Sequence, residues 1–289
     1  MKKPFIILIL AAAVILIGIG IYGLARSRDP LPSPEDGEAQ ITGTAIPLET
    51  SGKHHSQTYD ATPLLDVAMP AGIPSQVKDY EGFRLSFNKN NHTPNWVAWE
   101  LLASEVGGDL PRAKSFAPDN EIEGCPTPAD YKNSGYDRGH LCPAADQKWS
   151  QQAMNDCFFL TNICPQDNKL NTGDWNTLEN KERVWAKRDS AILIVAGPIY
   201  SDSDRKTVGR TGVRVPGAFF KVFAAPFLDR PRGIAFIYPN MVSPGNMENY
   251  VTTIDEVEKI TGYDFFAALP DDIENSIESK ASFKEWNRR

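Results

Sequence analysis

Tyr136-Asp137-Arg138-Gly139-His140, followed by Asn162-Ile163-Cys164-Pro165-Gln166 and then by Asn171, Trp175, Asn176, Glu179 and Arg183, is the stretch of this 289-residue chain that decides its fold. It gathers an imidazole, two guanidinium groups, an amide oxygen and a carboxylate in one short stretch. Hydrolysis of a phosphodiester needs that inventory: a base for the attacking water, positive charge against the phosphate, and an oxygen ligand for a metal. An imidazole titrates near neutrality, so His140 can take a proton from water. Arg138 carries a permanent planar charge able to grip phosphate oxygens in a bidentate way. In an extended segment residues two apart share a face, so Arg138 and His140 can reach one phosphate, and Gly139 lets a neighbour approach closely.

From Asn171 to Arg183 the chain reads as the start and body of a helix, with Asp174 after Gly173 as its N-cap and Leu178, Val184 and Trp185 as its apolar stripe. Positions four apart are neighbours on a helix, so Asn171, Trp175, Glu179 and Arg183 fall near one line. Magnesium takes oxygen ligands and keeps several waters, so Asn171 together with substrate phosphate can hold it. Glu179 would then hold a metal-bound water. The bland reading of Glu179 and Arg183 is a helix-surface ion pair, the usual meaning of such spacing.

The sequence resembles the DNA/RNA non-specific endonucleases, the family that includes the endonuclease G group and secreted bacterial nucleases. The resemblance rests on Asp137-Arg138-Gly139-His140, on Asn162 with Pro165 and Gln166, and on Asn171, Trp175, Glu179 and Arg183 at intervals of four. It continues through Ala196-Gly197-Pro198-Ile199-Tyr200, Val215-Pro216, Phe219-Phe220-Lys221-Val222 and Asp255-Glu256-Val257-Glu258 with Thr261-Gly262. It implies an α+β fold: a ββα-metal (His-Me finger) core within a larger, mainly antiparallel sheet flanked by helices. By position it implies His140 as general base, Asn171 as metal ligand, Glu179 as the group orienting metal-bound water, and Arg138, Arg183 and Arg112 around the phosphate. Asp137 and Asn162 are expected to hold the site in shape. The implied function is a metal-dependent, sugar-non-specific endonuclease acting on DNA and RNA, with Mg2+ as cofactor and Mn2+ or another divalent ion as a substitute. Recognition through phosphate and metal requires no 2′-hydroxyl, which accounts for tolerance of both sugars. Two other readings keep the fold and change the function: a nucleic-acid-binding or surface module without turnover, and a phosphodiesterase for another substrate such as a lipid head group.

Around this region the chain divides into three segments. Residues 5–25 are an unbroken apolar run preceded by Lys2-Lys3, long enough as a helix to cross a bilayer core and long for a cleavable signal. An uncleaved membrane anchor over residues 1–25 is therefore preferred to a removed signal peptide. Either option puts the remainder outside the cytoplasm, in the periplasm, at the cell surface or secreted, if Lys2-Lys3 stays inside. Residues 26–58, rich in Pro, Ser, Gly and Glu, read as a flexible tether, and 59–289 as one endonuclease domain. Within it, strands are expected at Gly82–Asn88, Asn95–Leu102, Ala191–Ala196, Ala218–Ala225 and Gly233–Tyr238, and a helix over Ile254–Thr261 capped by Thr253 and ended by Gly262. Trp175, Trp185, Phe158 and Phe159 are candidate core residues, whereas His54, His55 and His92 read as solvated.

Cys125, Cys142, Cys157 and Cys164 form no CxxC pair, which argues against structural zinc. In an exported protein an even count suggests disulfides. Cys142 with Cys164 is the preferred pairing, because they follow His140 and Asn162, and it leaves Cys125 with Cys157; free buried thiols are the alternative. The net charge of −7 argues at first against a polyanionic substrate. Net charge is a whole-chain sum, however, and five of the 37 acidic residues, Asp29, Glu35, Asp36, Glu38 and Glu49, lie in the tether.

Overall fold

Strands that are apolar at almost every position are buried on both faces, and three such strands form the centre of the domain. Thr93–Leu102 (β3), Ala191–Ile199 (β6) and Ala218–Ala225 (β7) are buried along nearly their whole length. They are joined by Gln76–Asp79 (β1), Arg84–Asn88 (β2), Arg232–Pro239 (β8) and Val251–Thr252 (β9) in one seven-stranded sheet. The strand order is β9-β8-β7-β6-β3-β2-β1, and every neighbouring pair is antiparallel. This computed structural model describes residues 61–242 and 245–288. The expected anchor and tether lie outside the described residues; among the described residues no helix is long and apolar enough to cross a membrane.

Alternation divides the sheet's side chains between two cores. One face presents Val97, Trp99, Ile194, Phe219, Phe223 and Phe236 to Trp175, Leu178 and Trp185. The other presents Trp96, Val195, Phe220, Val222 and Ala235 to Ile254, Val257 and Ile277 of two helices, Ile254–Thr261 and Asp271–Glu278. The first face carries the motif residues. Asp137–His140 (β4) pairs antiparallel with Ile163–Gln166 (β5), and the chain then enters a helical segment, which completes the expected ββα unit.

The capping expectation holds for Ile254–Thr261: Thr253 Oγ1 accepts from Glu256 N, and Gly262 sits at φ 74°. Ala218–Ala225 has the expected bounds, and the other strands differ from expectation by a few residues at their ends. Asp174 is not the cap of the site helix. Asp167 accepts from Lys169 N and Leu170 N and starts the helical segment earlier, at Asn168–Leu170. The segment kinks at Gly173, within Asn171–Trp175, and continues as Asn176–Asp189 (α1). Val184, expected in the apolar stripe of this helix, is 59% exposed, whereas Leu178 and Trp185 are buried.

Neither expected disulfide forms: all four cysteines are free thiols. Gly139 is the residue opposite Cys164, and Cys142 lies three positions farther along. That offset, about 10 Å at strand spacing, exceeds the Cα separation of roughly 4.4–6.8 Å that a disulfide requires. Cys142 Sγ accepts from Gln147 Nε2 at 3.1 Å, Cys157 Sγ donates to Met154 O at 3.2 Å, and Cys125 Sγ accepts from Asp119 N at 3.3 Å.

Candidate active site

His140 ends β4, and the two strands that carry the motif meet tightly there. A Cβ on Gly139 would come within 2.3 Å of Gln166 Oε1 and 2.5 Å of Gln166 Cβ, so only glycine lets β5 approach. Beyond His140 the chain is gripped by one buried amide. Asn162 Oδ1 accepts from Cys142 N, and its Nδ2 donates to the carbonyls of Cys142 and Cys157 at 2.9 and 3.0 Å. Trp175 Nε1 donates to His140 O. The imidazole packs between Phe116 and Phe158, with ring centroids 5.2 and 4.9 Å away. It is 7% exposed and its buried Nε2 has no hydrogen-bond partner. Burial, reinforced by the charges of Arg112 and Arg138, pulls it down to about 3, so the ring is neutral and able to accept a proton.

The same two rings seat the two arginines. Arg138 Cζ lies 4.5 Å from the Phe116 ring centroid, and Arg112 Cζ lies 5.0 Å from that of Phe158. Arg112 belongs to the irregular stretch before β4. That stretch is pinned to the site by Ala117, which donates to Phe158 O and accepts from Leu160 N.

A cleft of about 360 Å³ is lined by Arg112, His140, Asn171, Thr172, Asn176, Glu179 and Arg183 together with Pro143, Ala144 and Ala145. Five of the sequence-predicted residues thus share one cavity. Arg138 is exposed beside Phe116 and stands outside the lining; Asp137 and Asn162 act from behind. The expected line of Asn171, Trp175, Glu179 and Arg183 is broken at Trp175, which is fully buried. Gly173 leaves helical geometry between Asn171 and Trp175, so the four-residue spacing does not carry through the kink: Asn176 lines the cleft and Trp175 packs inward against Phe219.

Asn171 is held in one orientation. Its Nδ2 donates to Asp137 Oδ2 at 2.9 Å, and Asn168 Nδ2 donates to the same oxygen at 2.9 Å. A carboxylate oxygen can only accept, so the contact fixes Asn171 with Oδ1 turned away from Asp137 and open to a ligand. Burial pushes the Glu179 carboxyl up to about 7, with Asp146 adding to the rise and Lys221, Arg183 and Arg112 opposing it. An amide oxygen, a carboxylate and a neutral imidazole bordered by guanidinium groups are a donor set suited to a hard divalent cation and a phosphate. Arg183 is not paired with Glu179. Its Nη1 donates to the buried Asp146 at 2.8 Å and its Nη2 to Asn180 Oδ1 at 2.9 Å, so it forms the cleft wall with its geometry fixed.

Several supporting residues escape sequence reasoning. Asp146, which also accepts from Trp99 Nε1, and the rings of Phe116 and Phe158 sit among residues without a distinctive pattern. Lys221 did carry a signal, since a lone lysine inside Ala218–Ala225 must be buried. Its Nζ, fully enclosed, lies 2.9 Å from Glu182 Oε2 and over the rings of Trp175 and Trp99.

Residues 60–272 match the family described as DNA/RNA non-specific endonuclease. The chain belongs to this family. Among curated relatives, the mitochondrial nuclease EXOG of Danio rerio is 32% identical over 233 residues, covering 74% of this chain and 68% of that protein. A nuclease of Nostoc sp. is 35% identical over 213 residues, covering 68% of this chain and 76% of its own length. Human mitochondrial endonuclease G is 31% identical over 213 residues, covering 66% and 70% respectively. Among solved structures, a crystal structure of the EndoG/EndoGI complex aligns with a TM-score of 0.67 at 27% identity, covering 78% of this chain and 99% of that one. As a DNA/RNA non-specific endonuclease, the chain has the α+β fold and the ββα core that its motif implied.

Proposed function

We propose that this endonuclease cleaves phosphodiester bonds of both DNA and RNA, with His140 taking the proton from the attacking water and Asn171 as the protein ligand of Mg2+ or a similar divalent ion. The observation that carries the reading is the oriented Asn171 amide sharing a cleft with a neutral, buried imidazole. The cation, when bound, supplies charge to the phosphate and the departing oxygen. Arg112, which lines the cleft, and Arg138, on Phe116 beside His140, would add positive charge toward the phosphate. Burial first, and then the charges of these arginines, hold the imidazole's proton affinity down in the free protein, and a bound phosphate offsets the second of these. Substrate binding therefore makes His140 a stronger base at the moment it is needed. Glu179 positions water near the cation, and Arg183, locked by Asp146, holds the cleft wall and adds positive charge to it.

The contacts available in the cleft are to phosphate and metal, and none of them requires a particular sugar or base. The run at residues 5–25 and the tether at 26–58 support attachment of the domain to a membrane on its extracytoplasmic side, or secretion if the run is removed; two of the relatives above are named as mitochondrial. Digestion of plasmid DNA and of RNA by the full-length chain, with magnesium and then with chelator, tests the proposal. Both nucleic acids should be degraded and chelator should stop the reaction. Binding without cleavage would instead favour a module lacking turnover, and chelator-resistant cleavage would remove the metal.

A further inference from the structure

The helices on the face of the sheet opposite the nuclease site carry an acidic group that nothing in phosphodiester cleavage uses. Ile254–Thr261 (α2) presents Asp255 and Glu258, and Asp271–Glu278 (α3) ends in Glu278. One carboxylate oxygen from each of Asp255, Glu258 and Glu278 lies within 4.8 Å of the others.

Acidic clusters on protein surfaces are common, but Glu278 is not a surface residue. It is 7% exposed, and its buried Oε1 has no hydrogen-bond partner. It also stands at the wrong end of its helix. The C-terminus of α3 carries the negative end of the helix dipole, and no basic residue stands in its last turn. Among the described residues no salt bridge reaches any of the three carboxylates; Lys259 of α2 pairs with Glu256 instead. Glu258 is anchored in place, its Oε1 accepting from Phe265 N at 2.8 Å. Burial, then the charges of Glu258, Glu274, Asp255 and Asp264, push the Glu278 carboxyl up to about 9. Three carboxyl groups converge, one of them buried with an unpartnered oxygen at a helix C-terminus, and a single cation could replace the proton that burial forces onto it.

We propose that Asp255, Glu258 and Glu278 form a calcium-binding site, separate from the nuclease centre, that fastens α2 to α3. Calcium takes carboxylate oxygens at about 2.3–2.6 Å in flexible geometry, so oxygens on opposite sides of the ion stand up to about 5 Å apart. The observed spacing falls inside that span. The site's role is structural. Ile254, Val257 and Ile277 of the two helices pack the second core, and a shared ion ties the two helices together at their polar side.

The test uses the full-length chain carrying Asn171→Ala, so that the proposed nuclease metal ligand is absent, and reads melting temperature against calcium chloride. Calcium at about 100-fold above its dissociation constant should raise the Tm by about 5 °C for a domain of this size. Adding Glu258→Gln or Glu278→Gln should abolish the rise, while Glu278→Gln alone should raise the calcium-free Tm near neutral pH by removing the cost of protonating that carboxyl on folding. Equilibrium dialysis with radioactive calcium should find one bound ion per chain and none after Glu258→Gln. No bound ion at about 10 mM calcium, above the weak end of protein calcium affinities near 10⁻³ M, would overturn the proposal. So would a Tm rise that survives both glutamate substitutions.

Discussion

Replacing Asp137 by alanine isolates the orientation of Asn171 from its presence. The substitution removes the acceptor of two side-chain bonds, from Asn171 and Asn168, each 2.9 Å long. The Asn171 bond is half-buried and the Asn168 bond exposed, so the first carries most of the effect. A hydrogen bond to a charged group is worth about 1.5–3 kcal/mol where water is partly excluded. Outer partners of metal ligands typically contribute about 10–100-fold in metal affinity, or about 1.4–2.8 kcal/mol, the same range. Asp137→Ala should therefore raise the magnesium concentration for half-maximal cleavage about tenfold. The rise should approach a hundredfold if losing the Asn168 contact also loosens the turn that carries Asn171. At saturating magnesium, turnover should return close to normal, because His140 and its surroundings are untouched. Asp137→Asn keeps one acceptor oxygen and should shift the midpoint only a few-fold. The assay is initial cleavage rate against magnesium, followed by fluorescence of a dye-labelled oligonucleotide. Turnover lost with an unchanged magnesium midpoint would refute the argument, since Asp137 would then act on the reaction and not through Asn171.

His140→Ala should lower turnover by about 10²–10⁴-fold with no rescue at high magnesium, and circular dichroism should be unchanged. Glu179→Gln tests linkage. With the Glu179 carboxyl at about 7 in the folded protein against 4.5 ordinarily, the metal-free fold binds the proton more tightly than the unfolded chain. Its stabilising contribution is whole below about 4.5 and is lost as pH rises through about 7. The variant should thus melt higher than wild type at pH 8, with a flatter profile between those limits, while losing activity; a parallel profile would show that Glu179 is not the titrating group. Lys221→Met strands the fully buried Glu182 and should cost about 3–5 kcal/mol in urea denaturation, most of it restored by adding Glu182→Leu.

What the sequence made readable were features whose physics is local. The Thr253 cap, the Gly262 stop and the continuous apolar strand Ala218–Ala225 depend on residues close in the chain, and all three stand where periodicity and capping rules put them. The site helix misled because two local signals competed. Gly173-Asp174 resembles a break and a cap, yet Asp167 caps the segment first and the chain passes Gly173 by distorting it, at φ −105° and ψ −106°. Disulfide pairing failed for another reason. Proximity of His140 to Asn162 was sound, for Leu141 N does bond Asn162 O. Adjacency of strands does not fix register, however, and a three-residue offset is enough to keep the thiols apart. Asp146 and Glu182, which hold Arg183 and Lys221, are contacts between distant segments that no spacing reveals.

The kink at Gly173, just after Asn171, makes this enzyme more vulnerable to a shortened chain than to a changed one. Each helical residue turns the chain by about 100°, so deleting the exposed Thr172, beside the kink, would rotate the turn before it against α1 at little cost to the helix. Everything downstream is locked by Trp175 and Leu178 in the core, and the slip would fall on Asn171, swinging its amide off the cleft and away from Asp137. A single codon loss at this point would leave a folded protein with its arginines in place and the proposed metal ligand displaced, a natural route from nuclease to silent binder.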